Sequence, residues 1–436
     1  MTFDHENPLL VGLSDAQIDT FSSKDLTSQI DRLKKHDKIT DLTYLRTYTI
    51  DDKETFEIDD AISLEILESS FTIWIHISDP TTFIPLNSEI DLYARNIATS
   101  IYLAKSVTPM IPRKIVDDCF SLRSGKLSST LSLAVNVDYD GAIISSDVKR
   151  AIIKPLYNLT YEEANELIDY APPQEKDLSI LSKLLTKRTE WRRQRGAILL
   201  EQPLGRIKYK NNIPVLNIIE PSYSRKLVSE AMILAGSILA KFALDLKVPI
   251  PYRSQSQSDL PLDKYPSKDQ PLAVRNSIIK QNLIRAETSL IPDPHFSLGL
   301  DCYTQATSPL RRYSDQLVHR QILAKIDNGN SYSTEYLLQI LSQIKRPQNQ
   351  AIQIMREDNL SLQYEWFCRN KGKIWKTYYL RILSQNQHIV LLYFEELEMD
   401  IACKLEKLEK WLIGQSLEIC INEFDTETNV ILFKSI

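Results

Sequence analysis

Six carboxylates crowd the ten residues from Asp51 to Asp60: Asp51, Asp52, Glu54, Glu57, Asp59 and Asp60, with Lys53 as their single cation. Like charges this close repel, so such a segment tolerates burial only when a cation neutralises it. Its flanks, Tyr48 to Ile50 and Ala61 to Leu67, are apolar and β-branched, the character of buried strands. Hard oxygen donors with no neighbouring His or Cys favour Mg²⁺ or Mn²⁺ over zinc. An EF-hand does not fit, because no glycine stands at the sharp turn and the ligand spacing differs. Taken alone, the stretch also reads as a plain acidic turn without a ligand.

A second constellation comes far downstream: Ala306-Thr307-Ser308-Pro309-Leu310-Arg311-Arg312-Tyr313-Ser314-Asp315, followed by His319-Arg320. Pro309 sets a rigid turn, and Ser314 or Asp315 is placed to cap a following helix. Such a turn can aim the guanidiniums of Arg311 and Arg312 at an anion, with the hydroxyls of Thr307 and Ser308 alongside. Arginine suits bidentate phosphate contacts and the charge that develops in a phosphoryl transition state. Two adjacent arginines before a helix, taken alone, are more often a surface salt-bridge pair. Beside a carboxylate cluster, they supply the other half of a metal-dependent phosphodiesterase.

Strands and helices must hold these groups in place. From Phe71 to Asp79 the chain alternates, with Ile73, Ile75 and Ile77 facing one way and Trp74 and His76 the other. Leu131, Leu133, Val135 and Val137 alternate again, and Asp140-Gly141 follows as a hairpin signal. Thr160-Tyr-Glu-Glu163 has capping-box spacing and opens a helix through Ile168, closed by Pro172-Pro173. Leu178, Leu181, Leu184 and Leu185 mark the next helix, and Val228, Met232, Ala235, Leu239 and Phe242 a buried one. A polar, proline-rich connection runs from about Pro249 to Pro271. Helices follow near Ser314 to Gly329 and after Ser333. Residues 1 to about 40 read as a polar arm with one amphipathic helix near Ser22 to Lys35.

After about Asn370 the texture turns to short β-rich runs: Tyr378 to Leu383, His388 to Phe394, Ser416 to Ile421 and Asn429 to Phe433. A segment of this kind suits a small β-barrel of the OB type. Lys371, Lys373, Lys376 and Arg381, interleaved with Trp375, Tyr378 and Tyr379, give it a basic and aromatic entrance fit for phosphates and unstacked bases. A lysine-rich linker is the plainer reading of the same residues.

At 436 residues the chain is long enough for two or three domains, and its net charge of −5 argues against nucleic-acid binding by bulk positive charge. A local basic channel stays compatible with that total. Five scattered cysteines without a C-x-x-C pair make zinc ribbons and disulfide frameworks poor readings and fit a reducing compartment. No apolar run of membrane-spanning length stands out, and the first residues have neither signal-peptide nor transit-peptide character. The expectation is a protein that works where it is made, without a membrane partner.

Several ordered blocks then resemble a known family, the ribonuclease II or RNB-type exoribonucleases. They are Thr49-Ile-Asp with Glu57-Ile-Asp-Asp-Ala61, His76-Ile-Ser-Asp79, Thr99-Ser-Ile-Tyr-Leu103, Pro109-Met-Ile-Pro112 with Ser121-Leu122, Arg195-Gly-Ala-Ile198, Leu227-Val-Ser-Glu-Ala-Met232, His295-Phe with Leu298-Gly-Leu300, and Thr307-Ser-Pro-Leu-Arg-Arg-Tyr313 with His319-Arg320. The wording of Trp74-Ile-His and Gln305-Ala-Thr-Ser-Pro is similar to cyanobacterial and plastid members.

The resemblance implies an α+β chain: an RNB-type catalytic domain over 41–369, a mixed β-sheet surrounded by helices, then a C-terminal S1-like OB barrel over 370–436. It implies processive 3′→5′ hydrolysis of single-stranded RNA to 5′-mononucleotides with Mg²⁺, Mn²⁺ being an alternative, by a monomer in bacterial cytosol or plastid stroma. No helicase or degradation complex is legible. Asp51, Glu57 and Asp60 match the family's metal acids and Asp59 the acid needed for hydrolysis. Arg311 matches the arginine near the scissile phosphate and Tyr102 the aromatic that stacks on a terminal base. Arg312, Thr307, Ser308, Lys371, Lys373, Lys376 and Tyr378 are expected to touch RNA.

Three departures qualify the match. Glu57 stands where the family has Asp. The glutamate expected before the barrel aligns with Glu357, within one residue of register. The short arm leaves no room for the cold-shock domains with which many relatives begin, so the channel and barrel are expected to grip RNA. An RNA-binding scaffold with a dead site is the competing function, and a phosphodiesterase acting on small nucleotides a third.

Overall fold

The computed structural model describes Ile30 and residues 38–173, 175–257, 269–425 and 430–436. The helix expected near Ser22 to Lys35 lies outside these, save Ile30, which is buried in one cluster with Leu337, Ile340 and Ile344. Strands β1 (Thr40–Asp41), β2 (Thr47–Asp51), β3 (Asp60–Ile66) and β4 (Phe71–Ser78) come first. Helix α1 (Glu89–Ile97) and the hairpin β5 (Ile101–Tyr102) and β6 (Val107–Thr108) follow, then β7 (Ser128–Val137), β8 (Ile143–Ile153) and β9 (Tyr157–Thr160). A seven-stranded mixed sheet results, in the order β1-β8-β7-β4-β3-β2-β9, parallel only at its two outer pairs.

Both faces of this sheet are covered. Ile73, Ile75 and Ile77 share a core with Leu131, Leu133, Val135 and Val137, as the alternation requires. Helices α2 (Tyr161–Tyr170), α3 (Asp177–Gln194) and α4 (Tyr223–Asp245) close that core. The capping box at Thr160 and Glu163 is present in full. On the opposite face His76 is wholly buried, bridging Ser63 Oγ (3.0 Å) and Ser132 Oγ (2.8 Å). Burial lowers its pKa to about 3, so the ring stays neutral. Gly141 turns the β7–β8 hairpin at φ +77°, where Asp140-Gly141 predicts it.

Two sequence expectations need correction here. Helix α4 is in fact long and apolar enough to cross a membrane by length and composition. Its buried residues, Leu227, Ala231, Leu234, Ala235, Ile238 and Leu239, pack in the main core, so the helix serves as a core element of this fold. That stripe is also rotated from the expected one, because Val228, Met232 and Phe242 lie at its half-buried margin.

The hairpin β10 (Leu204–Lys210) and β11 (Ile213–Ile219) precedes α4; after it come β12 (Tyr252–Ser254), α5 (Leu272–Asn282) and β13 (Glu287–Ser289). β12 forms inside the proline-rich connection, where composition alone predicts no strand. Helix α6 (Tyr313–Ile326) follows the arginine turn, and α7 (Thr334–Arg369) runs on through Pro347. Strands β14 (Ile374–Ser384), β15 (Ile389–Phe394), β16 (Met399–Leu405), β17 (Ser416–Asp425) and β18 (Val430–Ser435) close into a barrel. β16 is the barrel strand absent from the sequence expectation. The barrel core shares its cluster with Ile207 of β10 and with Leu362, Trp366 and Phe367 of α7. Gly205 is required at that junction: its N–H donates to the Glu398 carbonyl (3.0 Å), and a Cβ there would collide with the Leu397 carbonyl.

Candidate active site

The antiparallel pair β2–β3 is in register at Thr47/Ser63 and Tyr48/Ile62. Beyond that the chain leaves the ladder at Asp51 and returns at Asp60, and the acidic segment fills the gap. The Ser121-Leu122 block pins it from behind. Ser121 Oγ donates to the Phe56 carbonyl (2.7 Å) and accepts from Ile58 N–H (3.2 Å), and Leu122 N–H donates to the Ile58 carbonyl (3.1 Å). Ser78 N–H holds the Asp59 carbonyl at 2.8 Å. Phe56 and Ile58 are buried, so Glu57 between them and Asp59 beside them have little freedom.

The carboxylates divide into two groups. Among the described residues, Asp51 and Asp60 have no tight side-chain partner of their own. Burial, then repulsion from Asp60 and Asp52, pushes Asp51 up to about 8, while burial raises Asp60 to about 6 against the pull of Arg311. Two neighbouring acids raised in this way mark a place where positive charge is in deficit. Glu57 and Asp59 are engaged. Glu57 accepts from Ser100 Oγ (2.7 Å) and from the Tyr102 hydroxyl. Asp59 Oδ1 accepts from Leu310 N–H (2.8 Å), and its Oδ2 stands 3.6 Å from Arg311 Nε. Burial raises Asp59 well above the usual carboxylate range, opposed by Arg311 and that N–H. Asp52 turns outward to Arg225 (2.9 Å), whose guanidinium lies over the Tyr161 ring.

Among the described residues, no three Asp, Glu, His or Cys side chains are gathered as a metal-holding group. Magnesium commonly takes only one or two protein carboxylates, with water and substrate phosphate completing its shell. The half-buried, charge-deficient pair Asp51 and Asp60 fits that mode. Glu57 differs from that pair, since a hydroxyl already donates to each of its oxygens.

Helix α6 builds the arginine turn by satisfying its backbone. Asp315 accepts from Ser308 N–H (3.0 Å) and from Arg312 Nε and Nη2 (2.9 and 2.6 Å). Gln316 donates to the Pro309 carbonyl and His319 Nε2 to the Ala306 carbonyl, both at 2.8 Å. His319 Nδ1 lies 3.8 Å from Asp79, which burial would raise but which His319, Thr81 and Thr82 hold down at about 2. Neither Ser314 nor Asp315 caps the helix, because Asp315 is engaged with the turn.

Arg311 and Arg312 diverge. Arg311 faces Asp59, braced by Ser308 Oγ (2.9 Å), and keeps 42% of its side chain exposed. Arg312 folds back on Asp315, so the two guanidiniums do not share one anion. Thr307 and Ser308 are buried, and Ser308 supports Arg311 rather than facing outward.

Tyr102, 43% exposed, stands on the β5–β6 hairpin beside this turn, with Ser100 N–H and Thr99 Oγ1 both donating to the Arg311 carbonyl at 3.0 Å. Glu357 is exposed and accepts from Gln353 (2.9 Å). Its neighbour Asp358 instead reaches the hairpin, accepting from Ala104 N–H at 2.6 Å. Nothing along the chain signals the parts played by Ser100, Asp358 or the Leu310 N–H.

At the barrel, Trp375 is fully buried and Tyr379 nearly so, and neither lines an entrance. Lys373 pairs with Glu396 (2.6 Å) and Lys376 with Glu395 (2.9 Å), which also accepts from the Tyr378 hydroxyl (3.2 Å). Lys371 lies over the Phe424 ring. The run of lysines is thus balanced by two acids from β15's end, a pairing invisible along the chain.

Comparison with known proteins agrees with this architecture. The chain is 34% identical over 399 residues to an uncharacterised ribonuclease of Synechocystis sp., covering 91% of this chain and 60% of that one. It is 31% identical over 422 residues to the chloroplastic/mitochondrial ribonuclease II of Arabidopsis thaliana, covering 94% and 51%. The chain therefore spans between half and two thirds of the length of these curated relatives. Among solved structures, Mycoplasma genitalium RNase R in complex with ribose-methylated single-stranded RNA shares the fold, with a TM-score of 0.82 at 20% identity over 95% of this chain and 75% of that one. Yeast Ssd1, a pseudonuclease, shares it at a TM-score of 0.70 and 18% identity, over 91% and 53%. Residues 39–328 match the model of the RNB domain, and this chain belongs to that family.

Proposed function

We propose that the chain is a 3′→5′ exoribonuclease that hydrolyses single-stranded RNA processively to 5′-mononucleotides, with Mg²⁺ or Mn²⁺ as cofactor. The observation that carries this reading is the junction at Asp59, where an acidic segment and an arginine turn 251 residues apart are bonded together. Asp51 and Asp60 would hold the cation, which supplies an activated water and charge neutralisation at the phosphate. Arg311 presents its exposed edge to the same space and would bind the equatorial phosphate oxygens. Asp59, kept basic by burial, would take a proton from the attacking water. Tyr102 offers a half-exposed ring for stacking a base.

An RNA-binding scaffold without chemistry is the second reading, since yeast Ssd1, a pseudonuclease, has the same fold. A 5′-labelled oligo(A) incubated with the protein and Mg²⁺, then with EDTA, separates the two. A ladder shrinking from the 3′ end only with metal supports the exonuclease. An intact oligonucleotide that still binds supports the scaffold.

A further inference from the structure

Glu57 is 5% exposed, and its two carboxylate oxygens are taken by Ser100 and Tyr102, at the start of the β5–β6 hairpin. Ser100 and Tyr102 lie two residues apart on extended chain, so their side chains leave on one face, with Ile101 buried on the other. One carboxylate therefore holds both hydroxyls, and Ser100 Oγ is itself fixed by accepting from Met110 N–H (2.9 Å). On the far side Leu103 N–H closes the turn onto the Ser106 carbonyl (2.8 Å), and Asp358 holds Ala104 N–H. The Tyr102 ring is thus tethered at its hydroxyl and braced at its backbone, while the residue stays 43% exposed.

We propose that Glu57 is a positioning residue: it fixes the Tyr102 ring as a preorganised platform for an RNA base, and does not ligate the divalent cation. The proposal rests on the reading that this site binds single-stranded RNA. A ring already held in its stacking orientation loses less freedom when a base arrives, which converts tethering into affinity. Side-chain length is what matters here, because the carboxylate must reach out from the acidic segment to the hairpin. A side chain one methylene shorter keeps the charge and loses the span.

Two substitutions separate length from charge. Glu57→Asp keeps the charge and shortens the reach; Glu57→Gln keeps the reach and removes the charge. Affinity for a labelled oligo(A) is read by anisotropy in EDTA, and Mn²⁺ affinity by electron paramagnetic resonance without RNA. Glu57→Asp and Tyr102→Phe should each weaken RNA binding by a similar factor, up to about tenfold for one stacked base. The double variant should be no weaker than either single one, as for two residues acting through one bond. Glu57→Gln should leave Mn²⁺ affinity unchanged, whereas Asp60→Asn should lower it by about tenfold or more. Thermal melting confirms that each variant folds. Additive losses in the double variant, or a Glu57→Gln loss of Mn²⁺ affinity equal to that of Asp60→Asn, would overturn the proposal. Should the wild type fail to bind RNA, the functional reading and the platform fall together, while the Mn²⁺ comparison still decides whether Glu57 is a ligand.

Discussion

Asp59 accepts a 2.8 Å hydrogen bond from the backbone N–H of Leu310 and faces Arg311 Nε at 3.6 Å through its other oxygen. One buried carboxylate thereby locks the loop between β2 and β3 onto the turn before α6. A charge at this depth is costly unless both oxygens have partners. The two partners here belong to the functional apparatus itself, so the bonds that order the site also oppose the rise that burial imposes on its pKa.

Asp59→Asn should abolish RNA hydrolysis while leaving oligo(A) affinity unchanged or higher, because a carboxylate that repels phosphate is removed. The amide oxygen can still accept from Leu310 N–H, so the loop should hold. Parallel binding and cleavage assays check this; equal loss of both would mean that Asp59 is structural.

Arg311→Ala should cost about 3 kcal/mol of transition-state stabilisation, roughly a hundredfold in rate. Arg311→Lys should restore little of it, since a point charge cannot reproduce the fork that spans Asp59 and Ser308. Arg312→Ala should act differently, lowering the melting temperature by freeing the buried Asp315. Single-turnover rates and melts of the three variants test the division of labour. A near wild-type rate in Arg311→Ala would move the role elsewhere.

What could be read from the sequence followed what is local. Alternation at Ile73, Ile75 and Ile77, the capping box at Thr160 and the Asp140-Gly141 turn each carry their own physics, and each stands in the fold as expected. Acid clustering and the arginine turn were likewise visible as compositions. Their partners were not. Asp315 reads as a cap because it opens a helix, and only the folded turn shows it accepting from Ser308 and Arg312. Lys373 and Lys376 read as an open basic entrance because Glu395 and Glu396 lie a strand away. Asp358 rather than Glu357 faces the hairpin, since helical phase decides which of two neighbours points inward.

Cation binding should be linked to pH in a stated direction. Asp51 rises from its ordinary 3.8 to about 8 in the fold, so the stability it contributes is full below about pH 4 and lost as the pH climbs through 8. Asp60, raised to about 6, adds the same trend at lower pH. Cation-free protein should therefore melt at a lower temperature near pH 9 than near pH 6. A cation that binds the pair holds both carboxylates ionised, so Mg²⁺ should raise the melting temperature more at the higher pH. Asp51→Asn should flatten that difference. An Mg²⁺ effect equal at both pH values would place the cation away from this pair.

At the barrel, truncating the chain after α7 would be a poor test of RNA gripping, because Trp366, Phe367 and Ile207 would lose the apolar core they share with it. Charge substitution avoids that damage. Lys373 and Lys376 are half-exposed, and their partners Glu396 and Glu395 are equally accessible. Exposed pairs of this kind contribute little to stability. Replacing both glutamates with glutamine should therefore leave the fold intact and release two ammonium groups toward the phosphate backbone. If the strand passes this face, RNA affinity should rise and the salt dependence steepen, by about 0.7 in the log–log slope for each further phosphate neutralised. Lys373→Ala with Lys376→Ala should then cost little in the parent, where both lysines are already paired, and much more in the double-glutamine background. Filter-binding salt titrations of the four proteins give the slopes directly. Slopes that coincide across all four would show that single-stranded RNA leaves the channel by another face.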